Sequence, residues 1–152
     1  MLSAEQRRCL PDCFADIPDP RRAQGRRHPL PTVLALAAGA TLCGRRGYQA
    51  IAEWAQSLGS KARARFGCRR QHGRRVVPSQ YVIRDVLVRV DPVALDQALL
   101  RWHDTHGQAD DSLAIDGKTR RHAIDAQGRQ THIMSVMGHQ THRGYTQKKS
   151  VP

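Results

Sequence analysis

Over the first two-thirds of the chain the apolar residues recur at helical spacing. Leu30, Val33, Leu34, Ala37, Ala38 and Thr41 follow the three-and-four rhythm of one helix face, with prolines at the start of the run and Gly44 past its end. This run, Leu30 to Cys43, falls short of the roughly 20 apolar residues that a bilayer crossing requires, so it reads as a buried helix. A second helix is predicted from Tyr48 to Leu58, with Ile51, Trp54, Ala55 and Leu58 on one stripe, closed by Gly59 and packed on the first. After Pro78, Ser79 can cap a third helix in which Ile83, Val86, Leu87 and Val90 share a face. Its β-branched content keeps a strand open as an alternative. Asp91 followed by Pro92 is a restart signal, an acid at the N-cap with proline at the first helical position. Leu95, Ala98, Leu99 and Trp102 then form another stripe, and Gly107 can end the helix.

Beyond Gly107 the period changes. Ser112 to Asp116, Thr131 to Gly138 and Gly144 to Ser150 are short runs separated by turn-forming residues, the pattern of strands in an antiparallel meander. A sheet of three strands needs a cover. The expected architecture is α+β: a helical, basic unit over 1–107, then a strand-bearing unit over 108–152. Two segments interrupt the helical part. Phe14 to Pro31 mixes Pro, Gly and Arg and reads as an ordered but irregular connector. Lys61 to Arg75 carries Lys61, Arg63, Arg65, Arg69, Arg70, Arg74 and Arg75 and no acid.

Charge sharpens the picture. Among 152 residues, 25 Lys and Arg face 13 Asp and Glu, a formal net charge of +12 that favours a polyanionic partner, nucleic acid first. A membrane partner is not expected, because no helix sets cations on one face against large apolar groups on the other. The N-terminus MLSAEQRRCLPD lacks the features of an export signal, which points to the cytoplasm. The four cysteines are then expected to be reduced. Cys9 and Cys13 could be half a zinc site, but the other half has no candidate, and His132, His139 and His142 read as ordinary surface histidines. Trp54 and Trp102 lie on apolar stripes and read as core. The basic segment is either a DNA-backbone contact or a solvated loop. Arg84 and Arg89 add charge on the Ser79 helix, which could also be a recognition helix after a turn, although it shows no base-reading set.

The most chemical stretch is DSLAIDGKTRRH, Asp111 to His122. Its Asp116, read as ending the first strand, could merely cap the turn at Gly117 and pair with Lys118 or Arg120. It could also hold a divalent cation, but magnesium chemistry on phosphates needs several carboxylates and Asp116 alone is a beginning.

The connector FADIPDPRRAQGRRHPLP, the helices after it, AIDGKTRRHA, THIMSVM and GYTQKKS together resemble the N-terminal part of DDE transposases of bacterial insertion sequences, of the H-repeat-associated type. The resemblance implies an RNase H-like catalytic domain beginning at the strands, so the second unit would be the start of such a domain, left incomplete. It makes Asp116 the first of three metal-binding, catalytic acids, with Lys118 a phosphate contact and Arg120 and Arg121 further DNA contacts. It also implies Mg2+ or Mn2+ in the complete enzyme, and DNA, both element ends and target, as partner. A full-length transposase or a second copy of the chain is a further expected partner. After Asp116 the only acid is Asp125, and no Glu follows Glu53. The expectation is therefore a truncated transposase that binds DNA and holds no metal tightly. The alternative is a noncatalytic fragment that interferes with a full-length enzyme.

Overall fold

The computed structural model describes residues 10–106 and, beyond them, the backbone of 113–124, 130–138 and 144–150. The chain divides into two compact units, Met1–His106 and Gly107–Pro152. In the first, helix α1 (Leu30–Leu42) is the centre, and Pro31 sits in its first turn, where a missing N–H breaks no ladder bond. Thr32, Val33, Leu34, Ala35, Leu36, Ala37, Gly39 and Ala40 are all buried, so the stripe read from the sequence is too narrow, and Thr41 on that stripe is exposed. A helix apolar on nearly every side has no solvent face to mark with charges, and the surroundings decide what is covered.

Helix α2 (Tyr48–Ser57) packs on α1 and buries Ile51, Ala52 and Ala55. Gly59 does not close it: Leu58 does, and Gly59, in extended conformation, is the N-cap of a short helix α3 (Ser60–Arg65). A hairpin follows, β1 (Arg70–Gln71) paired antiparallel with β2 (Arg74–Arg75). Helix α4 (Gln80–Arg89) then packs against both α1 and α2. Its Ile83 and Val86 are buried, which resolves the strand alternative in favour of a helix, and Ser79 occupies the N-cap without a side-chain cap bond.

Helix α5 (Pro92–His106) starts as its sequence signals, Asp91 Oδ1 accepting the Val93 N–H at 3.0 Å. Ala98 and Trp102 join the core, which Leu10, Phe14 and Ile17 share from the other end of the unit. Gly107, expected to end α5, lies outside the described residues. Removing the cap by Asp91→Ala is expected to cost about 1 kcal/mol, read as a lower urea midpoint at unchanged m-value.

The second unit is an antiparallel sheet in the order β3-β4-β5: β3 (Leu113–Ile124), β4 (Gln130–Gly138) and β5 (Gly144–Ser150). Asp116 does not end its strand. It pairs with Ser135, Lys118 pairs with Ile133, and β3 runs on to Ile124 opposite Gln130 after a register shift beyond Thr119. The nine residues of β4 supply a long row of backbone partners, and cross-strand pairing outweighs the turn preference of Gly117. Among the described residues no helix is long and apolar enough to cross a membrane.

Candidate nucleic-acid interface

The irregular connector owes its order to one buried cation. Arg21, 3% exposed, grips Asp19 with both arms of its guanidinium, Nε to Oδ1 at 2.9 Å and Nη2 to Oδ2 at 2.8 Å. It also donates to two backbone carbonyls, of Gly25 at 3.1 Å and His28 at 2.8 Å. Residues 19–28 are thus wound around a single planar fork of donors, which suits bidentate pairing better than a lysine could. Arg26 closes the outer side, its Nε donating to the Arg21 carbonyl at 2.9 Å. The Arg21 hydrogen bond holds the Asp19 carboxyl below its usual range. From the sequence this stretch reads as an irregular connector and as part of the transposase resemblance, with no arginine singled out as its centre. Its one signal was an Asp-Pro-Arg-Arg run among helix breakers.

The basic segment forms the short helix α3 and the β1–β2 hairpin, rooted in the core between them. Phe66 and Cys68, 2% and 0% exposed, plug it into the core on either side of Gly67. Gly67 has φ +75°, and a Cβ there would come within 2.9 Å of Thr32 Oγ1. That hydroxyl donates to the Gly67 carbonyl at 3.0 Å, so the chain crosses α1 at close range. The hairpin then turns through His72 (φ 48°) and Gly73 (φ 76°). Two central residues at positive φ give the type I′ turn, whose twist matches the flanking strands.

This fold sorts the seven cations, Lys61, Arg63, Arg65, Arg69, Arg70, Arg74 and Arg75, by environment. Arg63 donates to the Gln56 carbonyl and, at 2.9 Å, to that of Arg75, while Arg75 donates to the Cys68 carbonyl at 2.6 Å. Both are half-buried and spend their donors on the protein's own backbone. Arg69, also half-buried, donates to Gln71 Oε1 at 2.6 Å. Lys61, Arg65, Arg70 and Arg74 are exposed. Among the described residues none of these four takes part in an ion pair. Burial, then the charges of Arg69 and Arg21, holds the His28 imidazole below its ordinary value.

Helix α4 presents less. Arg84 is exposed, but Arg89 is tied to Asp85 at 3.3 Å and donates to the Pro20 carbonyl at 2.6 Å. In the second unit Lys118, Arg120 and Arg121 lie in β3 with Asp116. Among the described residues no group of three or more His, Cys, Asp or Glu side chains could hold a metal ion. Cys9, Asp125, His139 and His142 lie outside the described residues.

Residues 11–103 match the family described as DDE_Tnp_1-associated. An uncharacterized protein in the dhlA 3' region of Xanthobacter autotrophicus is 33% identical over 139 residues, covering 84% of this chain and 43% of that protein. The chain thus spans less than half the length of this relative. No solved structure matches.

Proposed function

The chain belongs to the DDE_Tnp_1-associated family and is a transposase-related protein, and from that premise we propose that its helical unit binds duplex DNA. The observation that carries the proposal is the set Lys61, Arg65, Arg70 and Arg74, exposed on a segment anchored in the core and unpaired with any acid among the described residues. Cations free of internal partners are the ones that can displace counterions from phosphates, the main source of sequence-independent affinity.

The same reading makes Asp116 the first metal acid of an RNase H-like domain, supported by the Ile-Asp-Gly-Lys-Thr run in the first strand of an antiparallel meander. It extends to a cytoplasmic location. Mg2+ or Mn2+, when bound, would supply Lewis-acid activation of a phosphoryl oxygen. The described residues do not fit a complete site for it, since a two-metal clamp needs several acids and only Asp116 is a candidate. Strand cleavage and joining are therefore assigned to a complete enzyme, and no catalytic step is assigned to this chain.

The test is anisotropy of a labelled random-sequence duplex titrated with the whole chain. If the four free cations each neutralise one phosphate, affinity falls about a hundredfold between 50 and 200 mM salt, by the usual slope of about −0.9 per phosphate contact. Absence of binding at 50 mM salt would overturn the proposal.

A further inference from the structure

We infer that the β1–β2 hairpin, and not helix α4, is the element that enters a groove of the duplex, and that the groove is the major one. The inference rests on the DNA-binding reading and adds to it the element and the mode of contact.

The hairpin is built to be held still. Its base is fixed by the Val76 N–H donating to the Arg69 carbonyl at 3.1 Å, and by the Arg75 and Arg63 bonds to backbone carbonyls. Phe66 and Cys68 tie the approach to the core. Two arginine side chains, Arg63 and Arg75, thus serve the scaffold, and Arg70, Gln71, His72 and Arg74 stand exposed beyond it. Those side chains suit base edges: arginine pairs with guanine O6 and N7, and Gln71, its Oε1 accepting from Arg69, keeps its amide N–H groups as donors.

Helix α4 lacks such a set. Its exposed positions include Tyr81, Arg84, Val88 and Arg89, and Arg89 is occupied by Asp85 and the Pro20 carbonyl. Asp85 would also face phosphates if this helix approached DNA. Arg89, already paired with that acid, offsets its charge and then brings phosphates no unpaired cation.

Size and chemistry select the groove. Two paired strands lie about 4.8 Å apart, and with side chains on both faces a ribbon fits the major groove, about 12 Å wide, better than the minor groove of about 6 Å. The tip carries no large apolar wedge of the kind that pries minor-groove base steps apart. Lys61 and Arg65, one turn of chain earlier on α3, remain for the phosphates.

The experiment uses the whole chain and a random 30-base-pair duplex library, enriched by rounds of binding, followed by dimethyl sulfate protection of the enriched sequence. Expected are protection of guanine N7 in the major groove, a loss of tenfold or more in affinity for that sequence in Arg70→Ala/Arg74→Ala, and less than threefold in Arg84→Ala. Neither Arg70 nor Arg74 makes a side-chain bond within the described residues, so the double variant should keep the parent's thermal midpoint, which is measured alongside. Protection confined to adenine N3, enrichment of no sequence, or equal losses in the hairpin and Arg84 variants would overturn the inference while leaving DNA binding intact. If the unaltered chain bound no duplex at 50 mM salt, the underlying DNA reading would fail first.

Discussion

Arg21→Ala is expected to destabilise the helical unit by about 3 kcal/mol, the typical loss when one partner of a buried ion pair is removed. The cost has two parts. Among the described residues Asp19 then keeps Arg26, at 3.7 Å, as its ion-pair partner. The carbonyls of Gly25 and His28 lose their Arg21 donors as well. Arg21→Lys should recover only part of the loss, because an ammonium cannot bridge both Asp19 oxygens and both carbonyls from one plane. Urea unfolding of the three proteins is the measurement. A loss under about 1 kcal/mol in Arg21→Ala would show that water replaces the guanidinium without strain, as at an exposed pair.

The same site predicts an acid dependence. The folded chain holds the Asp19 carboxyl below its unfolded value, so the unfolded state takes up the proton first as pH falls. The stability from this pair is fully present above the unfolded value of about 4 and is lost as pH drops from there through the folded value. His28 adds an earlier window with the same sign. Its folded imidazole is held below the ordinary value of about 6.5, so the neutral form is favoured in the fold, and stability declines as pH falls through 6.5. His28→Gln should flatten the change between pH 7 and 5 and leave the one below 4. Arg21→Ala should weaken both, since Arg21 contributes to each shift.

Phe66→Ala is expected to cost about 3–5 kcal/mol, the usual range for deleting a buried phenyl ring. Phe66 is 2% exposed and meets Trp54 edge to face, with ring centroids 5.8 Å apart. Both rings rest on α1 at Gly39, where a Cβ would come within 3.0 Å of Trp54 Cη2 and 3.1 Å of Phe66 Cζ. This explains a glycine in mid-helix despite a propensity cost of about 1 kcal/mol relative to alanine. Gly39→Ala should therefore lose about 1–3 kcal/mol by overpacking. In the Phe66→Ala background it should lose less, because one of the two rings it strikes is gone. Additive losses from thermal or urea unfolding would mean that the two residues do not share a contact. Because Phe66 also roots the basic segment, Phe66→Ala should weaken DNA binding more than Arg84→Ala does, even where the protein remains folded.

The sequence by itself determined the helices that carry their own punctuation. Pro31 and Gly44 frame α1, the Asp91-Pro92 pair starts α5, and the stripe Ile83, Val86, Leu87 and Val90 marks the inner face of α4, because caps and apolar periodicity act within a few residues of chain. It also determined the positive field, the antiparallel strand order and the family resemblance of the connector and the Asp116 motif. The tertiary structure decided what each charge does. Arg21, Arg63, Arg75 and Arg89 look like any other arginine in a basic chain, yet each is spent on carbonyls supplied by backbone folded back over it, some from distant segments. The continuation of β3 past Asp116 is likewise set by its partner strand. Side-chain type is a local property, whereas an available hydrogen-bond acceptor exists only once separate stretches of chain have been brought together.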